Sequence, residues 1–268
     1  MSDRRTVFIL GGSSDIGVEL ARRYLAAEHR VALTYRSSRL PEDLIRHPNF
    51  LMLPCDVLFP DEVSRTTSMF SEADWRWDQF ISCVGTTRPI GPFFETEFSS
   101  WAQSIHANAI GQLHALHSLY PFRRPGKEVG AMFMAGGGTN GPMANYSAYA
   151  ASKIFLIKMA ELLDDEALDL NVSVIGPGYV RTKIHGQTLA NPEAAGKHYR
   201  KMLDFLKTDG TSHDDIFACI EWLFGLGKGL ASGRNFSVVH DGWRDGGYGL
   251  VERLARDPNM YKLRRNGN

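Results

Sequence analysis

The stretch GGGTNGPMANYSAYAASK, residues 136–153, brings two tyrosines close to one lysine. Tyr149 and Lys153 stand four apart, and residues four apart share a face of a helix. A free phenol titrates near 10, so a neighbouring cation is what brings its phenolate within reach of neutral pH. Tyr146 has Ala150 four residues on, so it has no such partner and is expected to pack or to line a pocket. Before the tyrosines lies a run of three glycines, Gly136 to Gly138, and the first hydroxyl after them is Thr139, followed by the amide of Asn140.

A second cluster opens the chain. LGGSSDIG, residues 10–17, follows a short apolar run and leads into a helical pattern. Glycines there let the backbone approach a pyrophosphate, and the helix N-terminus supplies free N–H groups and positive potential. The letters fit GxxxGxG, with Gly11 and Gly17 outermost and Asp15 in the middle place. A carboxylate beside a pyrophosphate is unfavourable, so Asp15 is expected to turn back and cap its own helix. At the end of the next apolar run the letters are LTYRSS. Tyr35 stands where an acid would bond a ribose 2′-hydroxyl, and Arg36, Ser37 and Ser38 follow. No Asp or Glu occurs between 31 and 41, which favours a ligand with a 2′-phosphate. Ser14 in the glycine turn adds a hydroxyl.

These residues need elements to hold them. Strand-like runs occur at 6–10, 30–35, 50–57, 79–85, 131–137, 171–178 and 235–239, separated by helical patterns. Such alternation predicts a parallel sheet of about seven strands covered by helices on both faces, an α/β architecture. In such sheets ligands bind beyond the carboxyl ends of the strands, and the chemically informative residues do follow the apolar runs. There is no linker-like segment and no repeat of solenoid period, so one domain is expected over 1–268, with a core of about 6–242 and a tail from 243 to 268.

The ordered set of motifs resembles the short-chain dehydrogenase/reductase family over residues 6 to about 242. Its carriers are GGSSDIG, CDV with Asp56 and Val57, SCVG with Gly85, NAIG with Asn108, YAASK at 149–153, PGYVRT at 177–182 and SGRNFSVVHDG at 232–242. The resemblance implies a Rossmann-like doubly wound fold and hydride transfer between a nicotinamide cofactor and a carbonyl or secondary alcohol. It implies that Tyr149 is the general acid/base and that Lys153 binds the nicotinamide ribose and lowers the tyrosine pKa. Asn108 would hold a water in a proton relay, and Asp56 would contact the adenine ring. Cofactor positions carried over are Gly11, Ser13, Ser14, Ile16 and Gly17 in the turn, then Asp56, Val57 and Gly85. Pro177, Gly178, Val180 and Thr182 follow. With Arg36 in place of an acid, the cofactor is expected to be NADP(H) rather than NAD.

One family residue is missing. A serine usually stands thirteen residues before the tyrosine and bonds the substrate oxygen, and here that position is Gly136. Three readings stay open: Thr139 reaches in as a catalytic hydroxyl, backbone N–H groups of Gly136–Gly138 polarise the carbonyl, or the site is degraded. The last would make the protein a catalytically silent nucleotide sensor or scaffold. The survival of Tyr149, Lys153 and Asn108 favours an enzyme.

Composition is that of an ordinary globule, 43% hydrophobic and 22% charged, with 30 basic and 30 acidic residues. Zero net charge argues against nucleic-acid or membrane-surface partners, and no apolar run approaches a membrane span. Three scattered cysteines, Cys55, Cys83 and Cys219, suit reduced thiols in a cytoplasm. His106, His114 and His117 lack further ligands, so no metal is expected. Residues 181–210, the segment that closes over substrate in relatives, carry Arg181, Lys183, Lys197, Arg200, Lys201 and Lys207, with Arg88 in another loop of the same rim. This basic excess suggests a small sugar-derived or otherwise anionic substrate, although an amphipathic helix would look the same. The resemblance also implies a homo-oligomer, dimer or tetramer.

Overall fold

The protein is described by a computed structural model covering residues 4–265. Its centre is one parallel sheet of seven strands: β1 (Thr6–Leu10), β2 (Arg30–Tyr35), β3 (Phe50–Pro54), β4 (Gln79–Ser82), β5 (Val129–Met134), β6 (Leu170–Gly176) and β7 (Asn235–Ser237). Their spatial order is β3-β2-β1-β4-β5-β6-β7. The chain winds outward from β1 to β3, then returns to place β4 on the other side of β1. That reversal opens a crevice above the carboxyl ends of β1 and β4.

Inner strands are apolar on both faces because helices cover both. Val7 and Ile9 of β1 face one core, together with α1 (Asp15–Ala26), α2 (Glu42–Ile45), α10 (His213–Leu226), α11 (Lys228–Ala231) and α12 (Tyr248–Arg256). Phe8 and Leu10 face the other, formed with α3 (Pro60–Glu72), α5 (Gly111–Leu119) and α6 (Ser147–Glu166). Between α4 (Phe98–Ile105) and α5 the helix widens into a π-helical turn at His106–Ile110. Three short helices, α7 (His185–Leu189), α8 (Pro192–Ala195) and α9 (Lys197–Phe205), form the lid segment after β6.

Strands end earlier than the apolar runs suggest: β3 at Pro54, β4 at Ser82, β5 at Met134 and β7 at Ser237. The remaining residues of those runs leave the ladder and turn into the crevice or its rim. The described residues after 242 include α12, which packs against the body of the protein. Leu250 and Leu254 of α12 enter the core, and buried Arg234 donates to the carbonyls of Leu254, Asp257 and Met260 at the end of that helix. Leu254 O lies in the last turn, where carbonyls lack an intrahelical partner, so the guanidinium caps α12 and ties it to the segment that follows. Among the described residues no helix is long and apolar enough to cross a membrane.

Candidate active site

A cleft of about 1030 Å³ runs along the carboxyl ends of the strands, from Arg36 and Asp56 past Gly85 to Gln187 and Asn191. Its floor is the glycine turn. Gly11 has φ +65°, and a methyl group there would meet Val84 Cγ2 at 2.6 Å and Val84 N at 3.0 Å. Gly17 packs against the Gly12 backbone just as closely. The turn therefore needs glycine both for its left-handed conformation and for backbone-to-backbone approach. Thr34 Oγ1 accepts from Gly11 N at 2.7 Å, tying the turn to β2.

The helix cap is Ser14 rather than Asp15: its side chain accepts from Gly17 N at 3.2 Å. Asp15, the first helical residue, faces the lid instead. Its Oδ2 accepts from Lys183 N at 2.6 Å, and its Oδ1 lies 3.4 Å from Lys183 Nζ. At the far end of the cleft Arg36 is exposed, 3.9 Å from Asp56 Oδ2, with Ser37, Ser38 and Val57 beside it. Ser13, Ile16 and Thr182 also line the cleft. Gly178, with φ +77°, makes the turn that follows Pro177, and Val180 is buried behind it.

The chemical end sits on α6. Lys153 is 2% exposed, and its ammonium has one long contact, 3.5 Å to Val84 O. Burial lowers its pKa to about 8. A buried ammonium with spare donors suits a ligand carrying hydroxyl groups, and together with the glycine turn these residues fit a dinucleotide. Tyr149 lies on the same helix face, its ring centroid 5.7 Å from Lys153 Nζ. Its hydroxyl is raised to about 12 by burial first and by neighbouring Tyr179 second. The expected lowering of this pKa by the lysine is absent here: the ammonium sits over the ring at a distance, and desolvation of the phenolate wins. Tyr146 is fully buried, bonded to Thr188 Oγ1 of α7 at 3.0 Å and edge-on to His198 of α9. It holds the lid to α6 and packs, as expected of a tyrosine without a lysine.

The glycine at 136 now has a physical account. A methyl group on Gly136 would overlap the Tyr149 hydroxyl. The phenol occupies the volume in which a serine side chain would start. Thr139 does not supply the missing group: its hydroxyl donates to Gly136 O at 2.9 Å and closes the loop's own turn. Among the described residues no protein acceptor takes the N–H groups of Gly136, Gly137 or Gly138.

Asn108 falls in the π-helical turn and is fully buried. Its Oδ1 accepts from Thr86 N at 2.8 Å, while its Nδ2 donates to Thr86 O at 2.8 Å and Ser104 Oγ at 3.2 Å. The side chain thus shapes the loop after β4, while the backbone carbonyl of Asn108 accepts from Gln112 Nε2 at 2.6 Å. Gln112 was missed by sequence reasoning. It is fully buried, also accepts from Ser82 Oγ at 2.6 Å, and could have been found as the polar residue four places after Asn108 on the same helix face. Gln187 was missed too. Its Oε1 accepts from Thr86 Oγ1, Thr87 N and Thr87 Oγ1 at 2.7–3.1 Å. Cys83 lies beside Lys153, its thiol pushed up to about 12 by burial.

The basic lid mostly faces away from the cleft. Arg181 donates to the carbonyls of Leu206 and Thr208 at the end of α9, and Lys207 pairs with Asp204. Lys197, Arg200 and Lys201 lie on the exposed side of α9, whose Met202 and Phe205 are buried. Of the lid cations only Lys183 lines the cleft, joined there by Arg88 and Arg36. Amphipathic packing accounts for the rest. Among the described residues no three His, Cys, Asp or Glu side chains converge as metal ligands would.

Comparison with known proteins agrees with this geometry. The short chain dehydrogenase family profile matches residues 5–193. The 3-oxoacyl-[acyl-carrier-protein] reductase MabA of Mycobacterium avium is 30% identical over 186 residues, 67% of this chain and 69% of that one. A short chain dehydrogenase/reductase of Saccharomyces cerevisiae superposes with a TM-score of 0.80 at 15% identity, over 90% of this chain and 98% of that one. A short chain dehydrogenase of Shigella flexneri, complexed with NADP, gives 0.69 at 22% identity over 87% and 96%. The chain belongs to the short-chain dehydrogenase family of NAD(P)-dependent oxidoreductases.

Proposed function

We propose that the protein interconverts a carbonyl and a secondary alcohol with NADP(H) as its preferred cofactor. The observation that carries this reading is that Tyr149 and buried Lys153 share one face of α6, with the Lys153 ammonium reaching the carbonyl of Val84, which lines the cleft beside the glycine turn. A bound nicotinamide dinucleotide supplies or accepts the hydride. Tyr149 supplies a proton to the carbonyl oxygen as it becomes an alkoxide. A phenol raised by burial is protonated at neutral pH and still far more acidic than an alcohol, so it can hand its proton to the forming alkoxide. Lys153 would hold the ribose through its spare donors, and the N–H groups of Gly136 and Gly137 would polarise the substrate oxygen. Arg36, with no acid at the end of β2, supports the 2′-phosphate and hence NADP(H).

For the substrate, the cleft beyond Gly85 is lined by Thr86, Arg88, Ser100, Gln103, Gln187 and Asn191. That wall supports a polar, oxygen-rich carbonyl compound, sugar-derived or otherwise, with Arg88 and Lys183 available to an anionic group. Exposed Ile110, Phe155 and Leu162 on the outer helices support self-association, and three free thiols accord with a reducing compartment such as the cytoplasm.

The test is Tyr149→Phe. Turnover of a carbonyl panel with NADPH should fall ~10²–10⁴-fold while NADPH affinity, read by fluorescence, stays within a few-fold. Unchanged turnover in this variant would remove Tyr149 from the chemistry.

A further inference from the structure

Residues 183–187 cross the mouth of the crevice, and the two ends of that crossing are fastened to opposite walls. At the β1 side, Asp15 Oδ2 accepts from Lys183 N at 2.6 Å. At the β4 side, Gln187 Oε1 takes the three donors of Thr86 and Thr87. Between them Ile184 lies over Gly85, its Cδ1 3.6 Å from where a methyl group on that glycine would be. Thr87 N is an obligate donor, so the atom facing it must be the oxygen of Gln187 and the assignment of the amide is unambiguous. The middle place of the GxxxGxG pattern is glycine by definition of the motif, so the carboxylate fastening belongs to this chain's own Asp15.

We propose that Asp15 and Gln187 are positioning residues that hold residues 183–187 as a strap over the bound dinucleotide, so that cofactor leaves only when the strap lifts. The strength of the Asp15 post lies in the backbone bond. The ion pair with Lys183 Nζ is longer, and that side chain is 82% exposed, so water and salt screen it. A carboxylate oxygen receiving a backbone N–H at 2.6 Å is by contrast a short charge-assisted bond that fixes the backbone itself. The proposal rests on the dinucleotide reading of the cleft, but one of its readouts does not.

Four single variants in the full chain separate the tether from its alternatives. Asp15→Ala and Gln187→Leu each remove a post. Asp15→Asn and Gln187→Glu each keep an acceptor oxygen in the same place. Stopped-flow displacement of NADPH should show about tenfold faster release for Asp15→Ala and Gln187→Leu, and release within about threefold of wild type for the conservative pair. Hydrogen exchange of the 182–190 segment, measured without cofactor, should accelerate in the first pair only. Thermal melting checks that each variant is folded, and the Asn and Glu variants keep the proposal testable if a truncated one is not. Slower NADPH release from Asp15→Ala would mean that the carboxylate repels the pyrophosphate and would overturn the strap. So would equal release rates for Asp15→Asn and Asp15→Ala, or unchanged exchange in 182–190. If NADPH fails to bind the wild type, the cofactor reading fails, while the exchange data still decide whether the posts hold the segment.

Discussion

The glycine-rich turns that follow β1 and β5 use glycine for different reasons. After β1, Gly11 is left-handed and lies against the backbone of Val84. After β5, Gly136 lies against a side chain, the Tyr149 phenol, whose hydroxyl and nearer ring carbons a methyl group would overlap. Backbone cannot step aside, whereas a phenol can. The first glycine is a condition of the fold, and the second is a condition of where the acid/base group sits. Val84 links the first turn to α6, since its carbonyl is also the contact of Lys153.

The sharpest way to break this comparison is to add a methyl group to each turn. Gly11→Ala forces a side chain into left-handed backbone and against main-chain atoms, for a combined loss of about 3 kcal/mol in stability together with loss of NADPH binding. Gly136→Ala and Gly136→Ser should cost about 1–3 kcal/mol, as overpacking does, while keeping the fold, and lose turnover by about tenfold or more because Tyr149 must move. Rising turnover in Gly136→Ser would show that the loop has merely lost a serine.

Lys153 tests what the region between the turns costs the fold. Its pKa falls from 10.5 to about 8 on folding, so at pH 7 the charged form is disfavoured in the native state by up to about 3 kcal/mol. Between pH 8 and 10.5 the unfolded chain binds the extra proton, so native stability rises with pH across that window. Lys153→Met should therefore be inactive but more stable than wild type at pH 7, with the gap closing from pH 8 to 10.5. Denaturant melts at three pH values check the sign.

The smallest effect concerns the far end of the nucleotide half. Arg36→Ala should weaken NADPH by about 2 kcal/mol more than NADH, since only the former offers a 2′-phosphate to a charge-assisted bond. Equal losses in a titration of both cofactors would assign Arg36 to its neighbour Asp56 instead.

What the sequence by itself determined is whatever depends on local backbone and period. The seven strands, the order of strands and helices, the glycine turn and the shared face of Tyr149 and Lys153 all follow from residue spacing, because apolar alternation and left-handed turns are short-range constraints. Strand ends were legible only to within a few residues, since an apolar run continues past the last ladder bond into the crevice. The tertiary structure alone decided which side-chain tips meet across the crevice. Asp15 carries the marks of a helix cap, yet Ser14 caps the helix and Asp15 reaches a backbone amide 168 residues away. Thr139 is the nearest hydroxyl in sequence to the vacant serine position, yet it turns to Gly136 O while Tyr149 fills that volume. The lid's cations read as a substrate-binding charge, yet most of them complete α9 or face solvent. In each case a polar side chain had several partners of equal chemistry, and only the packing of distant segments brought one of them within bonding distance.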